Sequence, residues 1–508
     1  MRVLYISDSL GTPIHPRGIF NFSVSLVEIL KTLGATVDLV VEGADGFGLE
    51  GRFGALSNSA PDMVNAVRLS EIHRYFAEAS FGFRWDYKSA HIRFLAQRGR
   101  PLVNAWLEWR DQFGYRPNIV VENRPGQIDF TPRKNEHLNL FDCLVLKRGF
   151  YSASMSRANL GFSALAIDAS GYDAAIVDTP HFIKVRGIAP GRMLTVVHDL
   201  IPLRDPTMDV NWRNLFMRKL EATLALGANM VFVSRYTQQA FRTAFPRHVA
   251  PRQFIFHPAI RKQIALGSEQ GLFEVAPELS APPAVLEESA TSPGPPAFLE
   301  SASAHTHRSR PPESRKNTRA SYGGHASPPG WDATLPFFVT ATSDEPRKNI
   351  ALAVRAFYDH LRGRANLVVL GEVDSRRYDP GPNANVYFPG YVADSEKVLY
   401  FRNAGGVVFA SLSEGFGIPI VEGAVLEMPV LCSDIEVFRE VAEENAFYFD
   451  PREAISLARA VIQVMARPEE ARRRAAALRT TVLARFSQEA VGASVRAALA
   501  ELGIKAKA

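Results

Sequence analysis

The sequence predicts an α/β protein made of two doubly wound parallel sheets that face each other across a cleft. Three observations carry this expectation. Short β-branched runs alternate with amphipathic stretches through both halves of the chain. A stretch dominated by Pro, Ser, Ala and Gly at 262–335 interrupts that alternation. Towards the end, a β-branched run passes through a glycine-bracketed turn into a new helix, the kind of junction where open α/β sheets bind ligands.

In chain order, the strand-like runs of the first half are VLYIS (3–7), VDLVV (37–41), IVVE (119–122), LTVVH (194–198) and VFVS (231–234). Those of the second half are FFVTA (337–341), NLVVL (366–370), VVFA (407–410) and PVLC (429–432), with helical stretches such as NIALAVRAFYDHL between them. Each run is short and apolar rather than alternating, as strands covered by helices on both faces are. Residues 262–335 bury too little apolar surface to offset the entropy of ordering and read as a flexible insertion, and His305, His307 and His325 within it read as solvated. The expected organisation is a Rossmann-like domain over 1–261, the disordered inter-domain insertion over 262–335, a second Rossmann-like domain over 336–485, and a C-terminal helix over 486–508 that could return to the first domain.

Composition bounds the class. A chain of 508 residues, 46% hydrophobic and 22% charged, supports two or three well-cored domains and excludes disorder as the main state. The two cysteines, Cys143 and Cys432, are isolated, which excludes a disulfide framework and a zinc site of the usual spacing. The opening MRVLYISDSLG enters a strand directly, without the features of a signal peptide, and no apolar run nears the roughly 18–20 residues that span a bilayer. A cytoplasmic protein is expected. The formal net charge is +5, with an excess of about +7 in residues 1–260, so an anionic partner for the first half is expected.

Two motifs carry chemistry. In SEGFGIPIVEG (413–423), Gly415 and Gly417 permit a tight backbone path, Pro419 suits the first position of a helix, and Glu422 is expected in its first turn. Glu414 and Glu422 thus flank a helix N-terminus at the carboxyl edge of a sheet. In TATSDEPRKNIALAVRAF (340–357), Arg347 and Lys348 follow a strand and precede a helix expected to be capped by Asn349. Two adjacent cations at that edge suit a diphosphate, arginine as a fork and lysine as a compact charge. No G-x-G-x-x-G follows the first strand, which disfavours a nicotinamide dehydrogenase.

TSDEPRKN, followed by FPGYVADSEKVLYFRNAGGVVFASLSEGFGIPIVEGAVLEMPVLCSD, resembles the nucleotide-sugar domain of the retaining glycosyltransferases of family 4, and VVHDLIPLRDP (196–206) resembles the matching motif of their first domain. The resemblance covers most of 175–258 and 336–452. It implies the two-domain GT-B fold and a metal-independent hexosyltransferase, moving a mannose- or glucose-type sugar from a nucleoside-diphosphate sugar donor to a glycolipid or polysaccharide hydroxyl. His198, Glu414, Arg347 and Lys348 would be catalytic. Gly18, Arg347, Lys348, Tyr391, Val392, Glu414, Phe416, Gly417, Ile418 and Glu422 would bind the donor, with Glu422 on the ribose and the cations on the leaving diphosphate. No metal, no cofactor beyond the co-substrate and no nucleic acid are implied. Arg17-Gly18 stands where the family often has a glycine pair, and Glu427-Met428 where a glycine is usual. The alternatives are a non-catalytic nucleotide-sugar-binding protein or another GT-B enzyme such as an epimerase.

The acceptor is expected at a membrane. In residues 83–113, Arg84, Lys88, Arg93, Arg98, Arg100 and Arg110 alternate with Trp85, Phe94, Trp106, Trp109 and Phe113. That pattern suits a peripheral contact with an anionic surface at the inner face of the membrane, and equally an amphipathic helix pair that packs its aromatics inward.

Overall fold

The computed structural model describes residues 1–12, 17–43, 119–123, 133–148, 150–160, 162–205, 208–248, 250–260, 332, 334–378 and 384–505. Residues 83–113 and nearly all of the expected insertion lie outside these residues.

Strands of the first half are β1 (Arg2–Ile6), β2 (Thr36–Gly43), β3 (Ile119–Glu122), β4 (Cys143–Arg148), β5 (Leu165–Asp168), β6 (Ala174–Val177), β7 (Ile183–Arg186), β8 (Met193–Val197), β9 (Asn229–Phe232) and β10 (Gln253–Ile255). Among the described residues, eight of them form one sheet in the order β10-β9-β8-β6-β1-β2-β4-β3, with β5 and β7 paired separately. Every pairing in the large sheet is parallel except β3 on β4. The strand order reverses between β1 and β6, which opens a crevice at their carboxyl ends.

Covering both faces explains the unbroken apolar runs. Val3 and Tyr5 of β1 pack with Leu26 and Leu30 of the helix Arg17–Thr32, while Leu4 and Ile6 pack on the other side with Val40, Val145 and Phe150. All four of these apolar β1 side chains are fully buried, and only Arg2 at the start of the strand is exposed.

The second half repeats the plan. Strands β11 (Phe337–Ala341), β12 (Asn366–Leu370), β13 (Val386–Gly390), β14 (Gly406–Phe409), β15 (Val430–Ser433) and β16 (Phe447–Phe449) are ordered β13-β12-β11-β14-β15-β16, all parallel. Here the order reverses between β11 and β14. Phe338, Leu367 and Val408 face the helices Ile350–Arg355 and Ala454–Ala466, and Val339, Val368 and Val407 face the helices Ile418–Val425 and Glu436–Ala442.

The halves touch directly. Ser234 Oγ donates to the Gly415 carbonyl at 2.7 Å, and the Ile260 N–H donates to the Phe486 carbonyl at 2.8 Å. The chain turns after the helix Pro468–Phe486, where Ser487 Oγ accepts from the Ala490 N–H at 3.2 Å and caps the helix Gln488–Glu501. That last helix returns to the first half, where Gln488 Nε2 donates to Glu28 Oε2 at 2.7 Å.

Candidate functional site

The crevice between β11 and β14 gathers Arg347 and Lys348 of one motif and Glu414 of the other. The loop after β11 carries Arg347 and Lys348, and the loop after β14 carries Ser411 and Glu414. The Leu412 N–H donates to the Arg347 carbonyl at 2.7 Å, which ties the two loops together. Asn349 adds a second tie. It stands at the start of its helix in a left-handed conformation (φ 55°), and its side chain makes no cap. Instead Nδ2 donates to the carbonyls of Ala410 (3.2 Å) and Pro451 (2.8 Å), so the expected capping role is replaced by one of loop fastening.

Across this tie, Glu414 Oε2 accepts from Arg347 Nη1 at 2.9 Å, and Oε1 accepts from Lys348 Nζ at 2.6 Å and Ser411 Oγ at 2.8 Å. Burial alone would raise the Glu414 pKa, but the Lys348 and Arg347 charges and the hydrogen bonds reverse this and hold it below the ordinary carboxylate value. Burial likewise opposes the charge on Arg347, and Glu414, Glu345 and Asp199 outweigh it, leaving its pKa raised. The result is a preformed pair of cations on one carboxylate at a sheet's carboxyl edge.

Within SEGFGIPIVEG, Gly415 serves packing between the halves and Gly417 packing within the second half. A Cβ on Gly415 would collide with the His198 carbonyl oxygen, and Gly417 adopts φ +116° against the Phe438 ring. The helix starts at Ile418, so Pro419 occupies its second position rather than its first. Glu422 therefore falls in the second turn, not the first. It is buried, and both its oxygens accept from Lys397 Nζ, at 3.0 and 3.1 Å. Sequence reasoning missed Lys397, although it lies within VADSEKV (392–398), beside two of the candidates.

Of the other candidates, Tyr391 is exposed and Val392 half-buried just after β13. The Phe416 ring is buried edge-on to Phe486 at 5.1 Å between centroids, which leaves only its backbone for a ligand. Gly18 lies in the first turn of the helix Arg17–Thr32, with open space where a Cβ would be. His198 follows β8, its Nε2 2.9 Å from the Asp178 carbonyl oxygen and its ring edge-on to Phe22 at 4.9 Å. A cleft of about 360 Å³ flanks the charged cluster, lined from the first half by Asp199, Arg204 and Tyr236 and from the second by Arg347 and Glu414.

Residues 326–480 match the family model of the glycosyl transferases group 1. The chain carries a glycosyl transferases group 1 domain. That domain contains Arg347, Lys348, Lys397, Glu414 and Glu422. The chain is 33% identical over 148 residues to the serotype-specific mannosyltransferase WbdA of Escherichia coli, a match that covers 27% of this chain and 18% of that one. It is 34% identical over 84 residues to the O-antigen chain mannosyltransferase RfbU of Salmonella typhimurium, covering 16% and 24% respectively. The chain thus spans less than a quarter of the length of these relatives. Sucrose-phosphate synthase from Thermosynechococcus elongatus has the same fold, with a TM-score of 0.51 at 14% identity over 99% of both chains. The fold is GT-B.

Proposed function

We propose that the chain is a retaining hexosyltransferase that moves a sugar, of mannose or glucose type, from a nucleoside diphosphate to a hydroxyl of a polysaccharide or glycolipid. The observation that carries this is the Arg347–Glu414–Lys348 cluster at the strand-order reversal of the group 1 domain. The mannosyltransferase names of the relatives favour mannose and a polysaccharide acceptor.

In this reading Arg347 and Lys348 stabilise the charge that grows on the leaving diphosphate, the work a divalent metal performs elsewhere. Glu422, held by Lys397, accepts from the ribose hydroxyls. Glu414 lies beside the donor sugar, and the acceptor hydroxyl attacks on the face the phosphate leaves, giving up its proton to that phosphate. Incubation with a panel of uridine- and guanosine-diphosphate hexoses, with an acceptor polysaccharide, tests the reading through release of the nucleoside diphosphate. Turnover should persist in excess EDTA. Absence of release with every donor would remove the transferase assignment, and loss in EDTA restored by magnesium would remove metal independence.

A further inference from the structure

The strand-order reversal of the first sheet carries a second polar cluster. Ser7 follows β1 and Asp178 follows β6, adjacent strands on either side of the reversal. The Asp178 side chain is fully buried; its Oδ2 accepts from Ser7 Oγ at 2.8 Å and from Ser23 Oγ. Its Oδ1 lacks a hydrogen bond among the described residues and lies 3.4 Å from His198 Nε2. The same Nε2 is 2.9 Å from the Asp178 backbone oxygen. A backbone carbonyl only accepts, so the ring nitrogen facing it carries the hydrogen. A buried carboxylate oxygen beside that N–H adds an electrostatic preference for the same arrangement. Phe22, at 89° to the ring, restricts its rotation.

We propose that Asp178 is a positioning residue that holds His198 with its hydrogen on Nε2 and leaves the Nδ1 lone pair to accept from a hydroxyl of the donor sugar. The sugar contact rests on the transferase reading; the tautomer does not. Selective 15N-histidine NMR tests it, with the His198 resonances identified by their loss in His198→Gln. The expected result is a protonated Nε2 and an unprotonated Nδ1 at neutral pH. Asp178→Asn should lower turnover by about 10–100-fold, the range for loss of a supporting contact, with the donor KM changed far less. A hydrogen on Nδ1 in the wild type, or wild-type turnover in Asp178→Asn, would overturn the proposal. Should Asp178→Asn lose its thermal transition, Asp178→Ser, read by the same turnover and donor KM, takes its place, and wild-type turnover in it would overturn the proposal. Failure of every donor in the panel would remove the transferase reading while the tautomer still stood.

Discussion

Glu414 illustrates how one side chain serves stability and chemistry together. Its carboxylate neutralises two partly buried cations that would otherwise repel each other. Glu414→Gln should lower turnover by about 2–4 kcal/mol in activation free energy, the range for one preorganised polar contact, while Glu422→Ala should chiefly raise the donor KM. Steady-state kinetics on both variants separates the roles, and unchanged turnover at saturating donor in Glu414→Gln would remove Glu414 from the reaction. Because its folded pKa is lowered, the Glu414 contribution to stability is full above the ordinary carboxylate value and fades as pH falls through the folded one. Glu427 shows the opposite case. It adopts φ 58° at the place where the family resemblance makes a glycine usual. Glu427→Gly should raise stability by about 1 kcal/mol, the cost of a left-handed L-residue, read as a rise in Tm. The two glutamates and the two cations were legible because their types and spacings carry the signal. Lys397 and Asp178 were not, since each acquires its role from a partner that only the fold brings near.

At the scale of elements, the helix Arg235–Ala244 of the first half is held by a residue of the second. Glu440 Oε1 accepts from the Arg235 N–H and Oε2 from the Tyr236 N–H, both at 2.8 Å. Burial opposes the Glu440 charge, but His257 and these two N–H groups prevail and lower its pKa. Glu440→Gln should therefore cost about 0.5–2 kcal/mol, the range for a lost helix cap. Wild type and variant should differ most above the ordinary carboxylate range and converge as acid protonates Glu440, with denaturant unfolding at several pH values as the measurement. A gap that stayed constant deep into acid would contradict the capping role. The strands that sequence revealed are the apolar, β-branched ones. CLVLKR (143–148) ends in two cations and FYF (447–449) has three residues, so neither gave a clear period, yet each pairs with a neighbouring strand that the sequence did reveal.

Across the whole molecule, the two crevices meet where Gly415 packs against the His198 carbonyl, and the helix Gln488–Glu501 binds the end of the chain to the first half. Among the described residues no helix is long and apolar enough to cross a membrane. Contact with a membrane surface would then rest on charge and aromatic side chains. The first 260 residues carry an excess of about +7, and 83–113 interleaves basic residues with aromatics outside the described residues. Basic side chains reach lipid phosphates while aromatic rings settle at the interface, and salt screens the attraction over about 10 Å at roughly 0.1 M. Sedimentation with anionic liposomes should therefore retain the protein at low salt and release it at high salt. Replacing Arg93, Arg98 and Arg100 by glutamate should abolish the retention without altering nucleotide binding. Equal recovery in the supernatant with and without anionic lipid at low salt would assign 83–113 to packing within the first half and leave the donor site unaffected.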